Sequence, residues 1–464
     1  MRVASLALIV LVLAGCSSSH QAKTPSVPPS SPATTDPVTP PGTGSPTSGG
    51  TLVADWPTYH GDVARSGRAR TFPTPKALRI AANVKLDGEV YASPIVARGI
   101  TVVATEQDTV YGFDDNGRQL WRTKLGTPAR SSDLPCGNID PSGITGTPVY
   151  SDGTVYVAPE YRYPVRHELV ALDAATGQVR WRVNIDLPGA DPRAMQERGA
   201  LTIAGGRVWV PFGGRDGDCG AYKGRMVGVS LDGRGAPIAY TVPTPREGGI
   251  WAPPGAVVDS AGRLYVAVGN GEHGQGDAYD YSDSILQLSP DAGLLDSFSP
   301  TTWGSDNEDD LDLGSQGPVL VGSKWVVIAG KSGTGYVLRQ GHLGGIGGQV
   351  SQATLCRSFG GAAVDGDVVY VPCDDGVRAV RVDDAGQLHV LWHAASSIAG
   401  SPVLGGDRVW ALDQGAGELH ALDPATGRST LQVAVGQTSR FATPALHGNH
   451  VLVPTLAGLI IVGV

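Results

Sequence analysis

Short runs of apolar residues return along this chain at a steady interval, each opened by a small residue and often by Pro. They are ASPIV at Pro94, GTPVY at Pro148, GALTI at Leu201, APPGAVV at Pro254, QGPVLV at Pro318, GGAAV at Ala362, GSPVL at Pro402 and ATPAL at Pro444. After each run comes a turn rich in Gly and Asp, then a second apolar run such as VYVAP or VVYVP. A third run and a tight turn lead to a fourth, where charge or Trp alternates with apolar residues, as in LVALDAATGQVRWRV and LHALDPATGRSTLQV. Four short antiparallel strands in a unit of about 40 to 60 residues make a propeller blade, and eight units predict an all-β, eight-bladed β-propeller.

The ends of the pattern support the count. The eighth unit stops at the C-terminus without its fourth strand, whereas Ala77–Leu86, ALRIAANVKL, has the pattern of a fourth strand with no preceding three. If this N-terminal strand completes the last blade, the ring closes and leaves no open sheet edge between the first and last blades. A β-helix or a pair of stacked sandwiches would not explain an orphan strand at one end matching a deficit at the other.

Upstream of the blades the pattern changes twice. Arg2 precedes an apolar run from Val3 to Ala14, too short to span a bilayer, that ends in Leu13-Ala14-Gly15-Cys16. Small residues before a cysteine at the end of such a run resemble a bacterial lipobox, so residues 1–15 are expected to be a lipoprotein signal peptide and Cys16 the lipidated mature N-terminus. Residues 16–51 are Ser, Pro, Thr and Gly with almost nothing to bury, which predicts a disordered tether, and residues 52–464 form the propeller. The expected location is therefore extracytoplasmic, lipid-anchored to the cell membrane.

Composition narrows the function. Lys and Arg number 35 against 44 Asp and Glu, with no basic block interleaved with aromatics, so nucleic acid is not an expected partner. Of five cysteines, lipidation of Cys16 leaves Cys136, Cys219, Cys356 and Cys373, an even set that outside the cytoplasm suggests two disulfides. Zinc is the competing reading, but no CxxC spacing or His cluster accompanies them. Cys356 and Cys373 flank adjacent strands of one unit, and Cys136 and Cys219 lie on loops of neighbouring units, so the expected pairs are Cys356–Cys373 and Cys136–Cys219. HExxH, GxSxG, Walker A and CxxCH are all absent from the sequence, which leaves metalloprotease, serine hydrolase, nucleotide and haem chemistry without support.

The entry motif DWPTYHGDVARSG (Asp55–Gly67), the repeated ALDxxTG turn with Trp in the following strand, and the GxxYxL strand at Gly333–Leu338 together resemble the pyrroloquinoline-quinone-like (PQQ-like) β-propellers. That superfamily includes quinoprotein alcohol dehydrogenases and also propellers without a cofactor that act in envelope assembly. In the dehydrogenases, the resemblance implies, a quinone lies over a Trp and Ca²⁺ is held by Glu, Asn and Asp. GGIWAPPGAVVDSAGRLYVAVGNG is similar to the segment carrying the Trp and the Asn, which marks Trp251 and Asn270. The run DNEDDLDLGSQGP falls where the family places its catalytic Asp, and either Asp310 or Asp312 would take that part. GKSGTGYVL puts Lys331 where a basic residue contacts the quinone, and Asp218 is the nearest carboxylate to the position of the calcium-binding Glu. One feature departs from the dehydrogenases, whose two adjacent cysteines close a ring over the quinone: here Cys136 is followed by Gly137.

Every one of these residues also has a structural role available. Trp251 suits blade packing, Asn270 in Gly-Asn-Gly is a turn former, Lys331 suits a surface turn, and the acidic run suits a solvated loop. His60 in the entry motif is expected to be a structural hydrogen bonder. Two functions follow from the sequence. One is a binding or scaffold module of the envelope, with a partner protein or a small-molecule ligand at the propeller axis. The other is a dehydrogenase of an alcohol or sugar that uses PQQ and calcium, in which the quinone carries the oxidation and a carboxylate takes the proton.

Overall fold

In each repeat the first three strands are apolar on both sides and the fourth alternates. In blade 1, Ile95–Ala97, Ile100–Thr105 and Thr109–Phe113 are almost wholly buried, while Gln119–Lys124 exposes every other side chain or more. Strands with two buried faces need neighbours on both sides, which radial packing of blades supplies. The computed structural model describes residues 55–464 and arranges them as a β-propeller of eight blades. Cys16, the expected signal peptide of residues 1–15 and the whole of the expected tether of residues 16–51 lie outside the described residues.

Each blade is a four-stranded antiparallel meander, and neighbouring blades dock through the repeat motif itself. In the ALDAATG turn, Asp173 Oδ1 accepts hydrogen bonds from the backbone of Ala175 and Thr176, and Gly177 takes the left-handed conformation at φ 70°. A side chain at Gly177 would collide with Trp121 of blade 1, whose indole Nε1 donates to Ala174 O at 3.2 Å. Gly427 and Trp392 repeat this arrangement between blades 7 and 6, where Trp392 Nε1 donates to Pro424 O at 2.8 Å. The Gly and the Trp of the repeat are therefore two halves of one contact between blades.

Blade 8 contains Ala445–His447, His450–Thr455 and Gly458–Gly463, and its fourth strand is Arg79–Lys85, paired antiparallel with Gly458–Gly463. Ring closure by the N-terminal strand is as expected. Two disulfides join Cys136 to Cys219 and Cys356 to Cys373, with Cα atoms 6.0 and 5.7 Å apart. Among the described residues the one α-helix is Trp303–Glu308, which runs into the start of the acidic run.

The entry segment closes the central channel. Trp56 pairs with Val96 of blade 1, and Pro57 O accepts from Tyr150 N of blade 2. Val63, Ser66 and Gly67 accept through their carbonyls from Val258, Val364 and Leu404 of blades 4, 6 and 7. Arg65, 1% exposed, donates to Thr58 Oγ1, Tyr59 O, Leu201 O and Thr202 Oγ1, the last two on blade 3. His60 stacks on Tyr59 with ring centroids 4.2 Å apart, 3.1 Å from Ala362 O and 3.2 Å from Thr443 Oγ1. Burial, reinforced by the Arg65 charge, lowers the His60 pKa to about 3, so this ring is a neutral structural hydrogen bonder at any physiological pH.

Candidate functional site

The segments that precede the first strand of each blade and those that join its second and third strands share one face of the ring. Several of them surround a cavity of about 670 Å³ on the axis. Tyr59 of the entry segment lines a smaller recess together with Tyr91, Arg198, Pro253 and Phe441, which also line the cavity.

Five of the six residues singled out from the sequence line this cavity: Asp218, Trp251, Asn270, Asp310 and Lys331. The sixth, Asp312, is fully buried behind Lys331. Lys331 Nζ lies 2.6 Å from Asp310 Oδ1 and 2.6 Å from Asp312 Oδ1. The two aspartates, equivalent in the sequence, differ here: the Asp310 side chain is 71% exposed and that of Asp312 is 0% exposed. Burial pushes the Asp312 carboxyl up while Lys331 pulls it down; the pairing with Asp312 and Asp310 raises the Lys331 pKa against its own burial.

Trp251 lies on a floor of glycines. A side chain at Gly213, Gly249 or Gly269 would run into its ring, so these three positions let the indole lie close against the backbone of blades 3 and 4 while the residue lines the cavity. Packing and presentation to the cavity are both present in this one residue. Asn270 leaves Oδ1 buried without a hydrogen-bond partner, although its backbone O accepts from Gly248 N at 2.8 Å. A buried orphan acceptor costs about 1–3 kcal/mol unless a ligand or water satisfies it. The neighbouring turn is fixed by Asn307 of the short helix, whose side chain accepts from Gly271 N and donates to His273 O and Ser282 Oγ.

Other lining segments are held by buried acids that the sequence gave no reason to single out. Glu106 accepts from Gly143 N at 2.7 Å, and Glu160 accepts from Ser142 Oγ at 2.7 Å and pairs with Arg215. These contacts brace the segment that leads from Cys136 past Asn138 and Ile139 into blade 2. The Cys136–Cys219 disulfide ties that segment to Gly217 and Asp218, and Asn138, Ile139, Gly217 and Asp218 all line the cavity. Cys136 thus clamps two loops of the cavity wall.

The residues fit a flat ring system at Trp251 better than they fit a calcium ion. Among the described residues no group of three His, Cys, Asp or Glu side chains is placed to hold a metal. Asp218 accepts from the Tyr222 hydroxyl and Lys331 lies against Asp312 Oδ1, so Asn270 Oδ1 and Asp312 Oδ2 are the buried oxygens of the expected set left without a partner, fewer than the roughly six to eight that calcium takes.

A family model described as outer membrane protein assembly factor BamB matches residues 67–279 and 293–462. The chain belongs to this family of PQQ-like propellers. Polyvinylalcohol dehydrogenase of Sphingopyxis sp. (strain 113P3) is 25% identical over 299 residues, 54% of this chain and 41% of the relative, so the chain spans less than half of that protein's length. Among solved structures, quinohemoprotein alcohol dehydrogenase from Comamonas testosteroni superposes with a TM-score of 0.68 at 18% identity, covering 88% of this chain and 80% of that one. BamB from Moraxella catarrhalis superposes with a TM-score of 0.55 at 17% identity, covering 83% and 97%. At these identities both likenesses speak for the fold. The chain is thus a PQQ-like propeller related both to quinoprotein dehydrogenases and to an assembly factor.

Proposed function

We propose that the protein is an extracytoplasmic binding module, lipid-anchored through Cys16 and extended on the tether of residues 16–51, that takes a small ligand in its axial cavity. The observation that carries this reading is convergence. Asp218, Trp251, Asn270, Asp310 and Lys331 come from blades 3, 4 and 5 and line one cavity of about 670 Å³, within the size range of small-molecule sites. A scaffold that uses only its rim needs neither the glycine floor under Trp251 nor an orphan acceptor at Asn270. The test is a thermal-shift screen of small molecules by chemical class, on the full-length protein and on Asn270→Ala. At least one class should raise the melting temperature of the parent and do so less for the variant; a screen in which no compound separates the two rejects an axial ligand site.

A second reading, a quinone-dependent dehydrogenase oxidising an alcohol or sugar, is favoured by one observation: the Trp251 ring beside the Lys331 cluster and Asn270. A quinone bound there would supply the two-electron oxidation. Trp251 would lie under its ring, Lys331 would hold its edge, and Asp310, the one of the two aspartates that lines the cavity, would take the substrate proton. The donor set does not fit calcium, so no step is derived through the ion. Dye-linked alcohol oxidation after incubation with PQQ and Ca²⁺ tests this reading, and cofactor absorbance without turnover would leave the binding module as the better description.

A further inference from the structure

The wall of the axial cavity built by blades 3, 6 and 8 has a chemistry unlike that of the Lys331 side. Arg198 comes from the segment before blade 3, Phe359 from that before blade 6, and Arg440 and Phe441 from that before blade 8. The Arg440 guanidinium lies 3.9 Å from the Phe359 ring centroid and 5.9 Å from that of Phe441, and the Arg198 guanidinium lies 4.3 Å from Phe441. Two cations therefore share one aromatic ring.

They are also uncommitted. Lys331 and Arg215, the other lining cations, are spent on Asp310 and Asp312 and on Glu160. Among the described residues, neither Arg198 nor Arg440 forms an ion pair; Asp216 and Tyr91 act on Arg198 only through their fields, and Arg440 opposes them. Two guanidinium groups on one aromatic ring oppose each other, and the field of Asp216, the counter-charge nearest Arg198, offsets this without a direct ion pair; an arriving anion would supply that pair. Stacking on Phe359 and Phe441 fixes the planes of both groups, so little side-chain freedom is lost when a carboxylate or phosphate accepts their N–H groups.

We propose that Arg198 and Arg440 form an anion-binding subsite that takes the carboxylate or phosphate end of a small ligand, whose flat or apolar remainder lies among Phe359, Phe441 and Trp251. Asp216, Asp218 and Asp310 on the same lining would repel a second anionic group, so the ligand carries its negative charge at one end and hydroxyl or amine donors elsewhere. The assignment rests on the axial cavity being a ligand site.

Calorimetric titration of the full-length protein at low salt with benzoate, phenyl phosphate and benzyl alcohol tests it. These probes share the ring and differ in the charged end. At least one anion should bind, with the tighter of the two telling carboxylate from phosphate, and benzyl alcohol should bind far more weakly. The double variant Arg198→Gln/Arg440→Gln should weaken the anion by about tenfold or more, and Arg440→Lys should lose less than Arg440→Gln because it keeps the charge without the fork. Unchanged anion affinity in the double variant, or benzyl alcohol binding as well as the anions, overturns the subsite. If benzyl alcohol binds, loses affinity in Trp251→Ala and is indifferent to the arginines, the axial site stands and its anionic ligand falls. Absence of binding by both anions rejects the anion subsite, while the thermal-shift comparison with Asn270→Ala still decides whether the cavity takes a ligand.

Discussion

Glu106 shows how single residues govern the rim of this cavity. Burial pushes its pKa from 4.5 up to about 8, against the hydrogen bond from Gly143 N that pulls it down. Asp108 is raised in the same direction by burial and by Glu106. A carboxyl whose folded pKa exceeds its unfolded value binds more protons when folded, so its contribution is full below about pH 4.5 and is lost as pH rises through 8. The melting temperature should therefore fall between pH 5 and pH 9. Glu106→Gln, neutral at every pH and still able to accept from Gly143, should flatten that decline, and equal slopes in parent and variant would show that Glu106 does not titrate in this range. At this scale the sequence was legible where a residue sits inside a motif: Trp251, Asn270 and Lys331 are singled out by their segments, and all three line the cavity. Arg198, Arg440 and Phe441 were not found. QERGA and TSRFATP look like ordinary loops, and their stacking exists only because closure of the ring brings blades 3 and 8 to one axis. Burial likewise separates Asp310 from Asp312, which spacing alone left open.

Among elements, the entry segment carries more than its resemblance to a family motif suggested. Its hydrogen bonds reach blades 1, 2, 3, 4, 6, 7 and 8, so it acts as a central tie as well as a floor. Arg65 is the knot. Burial lowers its pKa to about 10, while Asp62 and Tyr59 raise it; the charge is retained at neutral pH. Arg65→Met would keep much of the stem's packing and strand the acceptors on Thr58, Tyr59, Leu201 and Thr202. The loss should be about 3 kcal/mol, read by denaturant unfolding, because removing one side of a buried charged network leaves the other unsatisfied. A loss below about 1 kcal/mol would mean that water replaces the guanidinium there. Strand order and blade count were legible because period-two alternation confined to the fourth strand is a local signal. The helix Trp303–Glu308 was not, because its acidic run has no apolar period and its place is set by Asn307 and Asp306, buried against neighbouring loops.

For the whole molecule, the decisive contact is the one that turns eight blades into a ring. Arg79–Lys85 supplies the outer strand of blade 8 and in doing so presents Ala82 and Val84 to Gly117 of blade 1, where a side chain at the glycine would meet both. This seam does with two small aliphatic residues what Trp121 and Gly177 do between blades 1 and 2. The strand is joined in sequence to the entry segment, so one continuous stretch of chain both floors the channel and locks the ring. The lining at the axis comes from segments on both sides of the seam, with Tyr91 on blade 1 and Thr438 to Phe441 before blade 8. Deleting residues 77–86 should therefore do two things at once: lower the melting temperature by exposing the edge of Gly458–Gly463, and weaken any axial ligand by letting blades 1 and 8 separate. A synthetic peptide of the same ten residues added to the truncated protein should restore both by strand addition. Recovery of stability without ligand binding would assign the seam to the fold alone. A truncated protein that melts with the parent would show that the entry segment closes the ring without help from the strand.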